Sequence, residues 1–275
     1  MERRRTWWMI GCLIALPLLL GQSCGTPTSE DESESLTQAQ SDAVEAGVQA
    51  AASLAQAVGT SQNGAGNATD AGRMAAELSA GSCPQVTTAT TEGQQGLAVA
   101  LDFGEGCAPY GTTGYTCSGS ADGELDLTGR TLSLTFEAIG CNTYSLDGSV
   151  ALAWDRSVDE VELDGDWDLS WTADDATYGT DGAGVCRYDL DALATTVDTF
   201  TGSVTDATTT YSCDLTDVVI SLVNNETLIP SSGTVTLTND QVGALSIRFD
   251  EDSPSTGEVE VSINGGPYLP WDLTV

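Results

Sequence analysis

The chain contains no histidine and no lysine. All eight of its basic residues are arginines, set against 41 carboxylates for a formal net charge of −33 at neutral pH. The missing histidine excludes Ser-His-Asp and Cys-His nucleophilic machinery and the usual zinc ligand sets. The missing lysine excludes Schiff-base chemistry and a phosphate-loop lysine. A surface this acidic also excludes nucleic-acid partners, whose binding rests on Lys and Arg contacts to phosphate. The glycines of Gly179-Thr-Asp-Gly-Ala-Gly184 read as a turn rather than a phosphate loop. Carboxylates remain as reactive groups, and glycosidases need two of them about 5 to 9.5 Å apart. With so many acidic residues a chance pair is inevitable, so the expectation is a non-enzymatic protein.

What is present begins with the N-terminus. Arg3, Arg4 and Arg5 precede an apolar run of fourteen residues from Trp7 to Leu20, interrupted only by Pro17. That is signal-peptide length, short of the roughly 20 residues of a membrane-spanning helix. Gly21, Gln22 and Ser23 lead to Cys24, and a polar acidic stretch follows up to Ser35. Residues 1–23 therefore read as an export signal and 24–35 as a solvated tether.

This arrangement resembles the N-terminus of bacterial lipoproteins, in which the chain is cut before a lipobox cysteine that then carries diacylglycerol. Ser23 matches the small residue before the cysteine; Gly21 and Gln22 stand where the family has Leu and a small residue. The resemblance implies acylation (palmitate-type chains) of Cys24, a membrane partner reached through those chains and, with Gly25 next, an outer-membrane destination. Gly21 and Ser23 also satisfy the small-x-small rule of an ordinary signal peptidase, which would release a secreted protein. Losing residues 1–23 removes three arginines and Glu2, leaving five arginines against forty carboxylates and a net charge of −35.

Eight cysteines follow from the same reading. Cys12 leaves with the signal, Cys24 is acylated, and Cys83, Cys107, Cys117, Cys141, Cys186 and Cys213 remain as an even set. In an oxidising compartment such a set forms disulfides. Turns near 93–96 and at Gly129-Arg130 favour the sequential pairing 83 with 107 and 117 with 141, and by analogy 186 with 213.

From Leu36 to Val58 apolar residues recur at three- and four-residue steps, predicting a helix capped by Ser35 and Gln38 and stopped at Gly59. Its stripe is alanine-rich, so it is expected to lie loosely on a neighbour. Residues 60–67 read as a linker and about 69–79 as a second short helix, which makes 36–82 a helical region. From Cys83 the period changes to two. Val161, Leu163, Gly165, Trp167, Leu169 and Trp171 alternate with Glu162, Asp164, Asp166, Asp168 and Ser170. Many short strands with one apolar face make 83–275 a mainly β domain, an antiparallel meander or sandwich with a short helical region before it. Trp154, Trp167 and Trp171 fall on the core face; Trp271 beside Tyr268 is less committed.

Asp164, Asp166 and Asp168, with Asp174 and Asp175 in the following turn, are the candidate ligands for a metal, and their chemistry suits calcium. On a straight strand they stand in a row ~6.5 to 7 Å apart, which suits a solvated outer face better than a cage. The sequence therefore points to an exported, lipid-anchored envelope protein with a structural or binding role and no required cofactor, its protein or glycan partner unspecified. The competing class is a secreted calcium-dependent carbohydrate-binding or glycoside-hydrolysing module.

Overall fold

A computed structural model describes residues 36–68, 83–90, 96–107, 116–141, 144–173, 176–222 and 228–273. The signal segment, Cys24, the tether and the second helix expected at 69–79 lie outside the described residues. Helix α1 spans Gln38–Ala68. Its capping box sits two residues beyond the expected one. The Thr37 amide donates to Gln40 Oε1 at 2.9 Å and the Gln40 amide donates back to Thr37 Oγ1 at 3.3 Å, satisfying two orphan donors of the first turn. The helix does not stop at Gly59, and the expected linker at 60–67 is helical.

The reason is burial. Ala43, Val44, Ala46, Ala50, Ala51, Leu54, Ala55, Ala57 and Val58 are completely enclosed, and so are Ser53, Thr60 and Ser61. Ala52 and Gln56, each 1% exposed, close the remaining side, so that burial covers every face of the helix, and a helix buried all round is the centre of a core. Tertiary packing of that extent overrides the roughly 1 kcal/mol that a helical glycine costs against alanine.

What surrounds α1 is one sheet of thirteen strands, each hydrogen-bonded to the next in sequence, all antiparallel. They are β1 Gln85–Thr90, β2 Leu97–Cys107, β3 Cys117–Asp126, β4 Thr131–Cys141, β5 Tyr144–Arg156, β6 Glu160–Ala173 and β7 Ala176–Asp189. The order continues with β8 Ala194–Asp206, β9 Thr209–Ser221, β10 Ser232–Asn239, β11 Gly243–Phe249, β12 Glu258–Ile263 and β13 Leu269–Asp272. A one-turn helix α2, Ser253–Thr256, ends on Gly257 in the left-handed conformation before β12. The meander reading thus holds and the sandwich does not. Helix α1 touches every strand from β1 to β11, so the sheet curls around it as an open barrel. Among the described residues no helix is long and apolar enough to cross a membrane.

Two devices bend the strands. Register shifts interrupt β2–β3, β3–β4, β4–β5, β7–β8 and β9–β10, and bulges of this kind increase local twist. Glycines occupy the tightest crossings. A Cβ on Gly202 would lie 2.2 Å from the carbonyl oxygen of Asp181 and 2.6 Å from the Cα of Gly182, so β7 and β8 approach where neither has a side chain. The segment 179–184, expected as a turn, is the middle of β7 for this reason: its glycines bend the strand without ending it. Trp167 covers the bend from the inside, its Nε1 donating to the Gly184 carbonyl at 3.4 Å.

The inner face is apolar with polar links to α1. Trp171 Nε1 donates to Gln49 Oε1 at 2.7 Å and the Tyr178 hydroxyl to Glu45 Oε1 at 2.8 Å. Ser53 and Thr180 share a hydrogen bond of 3.2 Å, and the Thr195 hydroxyl donates to the Ala55 carbonyl at 3.3 Å. Helix and sheet therefore belong to one unit from Leu36 onward.

Candidate functional site

Two of the three expected disulfides are formed. Cys83 joins Cys107 with Cα atoms 5.7 Å apart, and Cys117 joins Cys141 at 4.1 Å. The second follows directly from register, because Cys117 on β3 is the partner of Cys141 on β4. Both bridges tie the β1 edge of the sheet. The third pair is a correction: Cys186 and Cys213 are buried thiols. Cys186 on β7 pairs with Val197 of β8, whereas Cys213 on β9 pairs with Gly202 of β8. The two are thus two strands and five residues out of step, about 16 Å along the strand direction, far beyond disulfide reach. Burial pushes the Cys213 thiol from the ordinary 9.0 up to about 12, and burial followed by the charges of Asp198 and Asp164 raises Cys186 well above its usual range.

Asp164, Asp166 and Asp168 stand in a row on the exposed face of β6, as the alternation requires. Their cross-strand partners on β7 are Val185, Ala183 and Asp181, so only Asp168 meets another carboxylate directly. Among the described residues no three His, Cys, Asp or Glu side chains are grouped to hold a metal ion. Asp174 and Asp175 lie outside the described residues. Trp154, Trp167 and Trp171 are all core, and Trp271 is half-buried on β13 opposite Val259. Tyr268 is exposed, with the Arg248 guanidinium 4.3 Å from its ring centre.

A cleft of about 590 Å³ opens at one end of the sheet, between the β3–β4 and β5–β6 turns. An antiparallel meander brings these turns to the same end. Among the described residues only three large apolar side chains are exposed, and two of them line this cleft: Leu127 at 42% and Val158 at 88%. Arg130 and Arg156 line it too, and they are two of the four arginines among the described residues. Arg130 adopts a left-handed φ of 52° at the turn and donates to Asp155 Oδ1 at 2.5 Å.

Trp154 forms the inner wall. It is 6% exposed, and its Nε1 is a buried donor with no acceptor among the described residues. Trp167 and Trp171, by contrast, both place their indole N–H on an acceptor. An unsatisfied buried donor costs on the order of 1–3 kcal/mol. The cleft thus brings together two exposed aliphatic side chains, the Arg130–Asp155 ion pair, Arg156 and the wall of Trp154.

Sequence reasoning missed this place, although one signal was visible. Val158 is a lone apolar residue in the polar turn Asp155 to Glu160, with two of the mature chain's five arginines, Arg130 and Arg156, at this turn and the neighbouring one. Comparison of the chain with models of known protein families, with curated proteins and with solved structures finds no match.

Proposed function

We propose that the chain is an exported, lipid-anchored protein of the cell envelope, held through acyl chains on Cys24, with a binding or structural role rather than a catalytic one. The observation that carries the reading is the pair of disulfides Cys83–Cys107 and Cys117–Cys141, downstream of a signal-type segment that ends in a cysteine. Bridges of this kind persist in oxidising compartments outside the cytoplasm. Cysteine parity gives no support to acylation, because Cys186 and Cys213 remain thiols; the case for Cys24 rests on the N-terminal residues themselves. Two or three acyl chains hold a protein firmly where one does not, at ~0.8 kcal/mol per buried methylene. An outer-membrane destination belongs to the same proposal and rests on Gly25.

The test is the intact mass of protein from the membrane fraction, beside a Cys24→Ala variant. A mass equal to residues 24–275 plus acyl groups, absent from the variant, supports the anchor. A soluble, unacylated chain beginning at or near Cys24 overturns it in favour of simple secretion.

A further inference from the structure

We propose that the free edge of β1 is a self-pairing interface, on which a second copy of this chain adds its own β1 antiparallel across a two-fold axis. The inference stands whether or not Cys24 is acylated. β1 and β13 are the two edges of the sheet, and only β13 is guarded. β13 is four residues long and includes Pro270, which has no N–H, and Asp272, features that blunt an edge. β1 runs six residues, Gln85-Val-Thr-Thr-Ala-Thr90, five of them exposed, without proline or charge. Of the thirteen strands only β1 and β10 carry no charged residue, and β10 lies between β9 and β11. A chain of net charge −33 thus leaves its one unblocked edge neutral.

Along an antiparallel edge every second residue turns both its N–H and its C=O outward, so three of the six residues of β1 each present a donor and an acceptor. Among the described residues no strand meets those groups. The edge is also held ready, because Cys83–Cys107 staples its start to the end of β2. A strand formed in advance loses little freedom on pairing. A basic peptide would find no carboxylate on β1 to answer it; a neutral, threonine-rich strand matches it, and β1 is itself such a strand. Residues directly opposite one another share a face of the sheet, so the two-fold axis must set Thr87 against Thr87 or Thr88 against Thr88. The carboxylate beside the edge is Asp102, opposite Gln85 on β2. Two copies of it stand three strand spacings apart across the axis, about 14 Å, and at least four residues apart along it, beyond the Debye length of about 8 Å at physiological salt. Glu105 on β2 and Glu92, past the end of β1 in sequence, add repulsion, so association should strengthen with salt.

The test is sedimentation equilibrium of the full mature chain, residues 24–275 with Cys24→Ser to remove the acylation site, from micromolar to submillimolar concentration. The expected result is a reversible monomer–dimer equilibrium. It is weak, because six residues a side make a small interface, and weaker still at low salt, where the Debye length is about 30 Å. The double variant Thr87→Glu, Thr88→Glu, at two exposed positions, sets like charges against each other in either register and should weaken the dimer roughly tenfold or more. Pro270→Glu, on the other edge, should leave it unchanged. Cysteine cross-linking reads the same register without adding charge: Thr87→Cys or Thr88→Cys should give a disulfide-linked dimer under mild oxidation, and Gln85→Cys should not. A chain that stays monomeric at every concentration, or a dimer indifferent to the double variant, overturns the proposal. Amides of Gln85–Thr90 protected from exchange in a monomeric sample would overturn it too, by assigning the edge to a segment of the same chain.

Discussion

The indole Nε1 of Trp171, on β6, donates to Oε1 of Gln49, on α1, at 2.7 Å inside the protein. The bond spans a sequence separation of 122 residues and joins the sheet to the helix it encloses. Gln49→Ala should therefore leave a buried N–H unpaired and cost about 1–3 kcal/mol in urea unfolding. Trp171→Phe in the same background should recover part of that loss relative to additivity; equal losses with no coupling would mean that the bond contributes nothing.

Gly47 tests how tightly the sheet closes. A Cβ there would stand 3.0 Å from Ile247 Cδ1 and Leu237 Cδ1 and 3.1 Å from Val235 Cγ1. Gly47→Leu should overpack this contact and destabilise by about 1–3 kcal/mol despite its better helix propensity. A variant as stable as the parent would show that β10 and β11 yield freely to the helix.

The disulfides should be separable from the thiols. Iodoacetamide should leave the native protein unmodified at Cys186 and Cys213 and label both after unfolding without reductant, while peptide mapping returns 83 with 107 and 117 with 141. A 186–213 linked peptide would contradict the register of β7 to β9. Replacing Cys117 and Cys141 by alanine opens a loop of sequence separation 24 and should cost on the order of 3 kcal/mol.

Stability should fall at alkaline pH. The folded-state pKa of Cys213 is raised from 9.0 to about 12 by burial, and Cys186 is raised in the same direction. The unfolded chain then loses these protons first, so their contribution is fully present below about pH 9 and is lost as pH rises towards the folded values. Tyr188, also raised by burial, adds to the slope at higher pH. A Cys186→Ala, Cys213→Ala variant should show a flatter decline in thermal midpoint between pH 8 and 11, and an unchanged slope would remove the thiols as its cause.

Asp168 and Asp181 face each other directly across β6 and β7 on the solvent side. Like charges so placed destabilise by roughly 0.2–1 kcal/mol. Asp181→Asn should stabilise by about that amount at low salt. The gain should vanish near 1 M salt, where the Debye length is about 3 Å. A gain independent of salt would point to packing instead.

The strands were legible because burial on one face writes a period of two into the sequence, as in Val161 to Trp171, and the turns at Gly129-Arg130 and Asn264-Gly265 carried their own chemistry. The helix was legible as a helix but not in its role. Alanines on one stripe suggest a thin amphipathic face; Ala43, Ala46, Ala50, Ala52, Ala55 and Ala57 occupy all sides, which lets a sheet approach from every direction. Gly59 failed as a stop because the enclosing strands, remote in sequence, hold the backbone there. The Cys186–Cys213 pairing failed because spacing does not reveal that β8 intervenes. The cleft depends on which turns share an end and on a missing acceptor for Trp154, and neither is written in local sequence.

The central structural claim is that α1 is the core of the barrel, and amide hydrogen exchange tests it most directly. Amides from Ala43 to Val58 should exchange only through global unfolding, with the same opening free energy as those in the middle of β6 and β7. Helix amides that exchange orders of magnitude faster than the strands would mean that the helix leaves the sheet while the sheet stays folded, and would contradict the account.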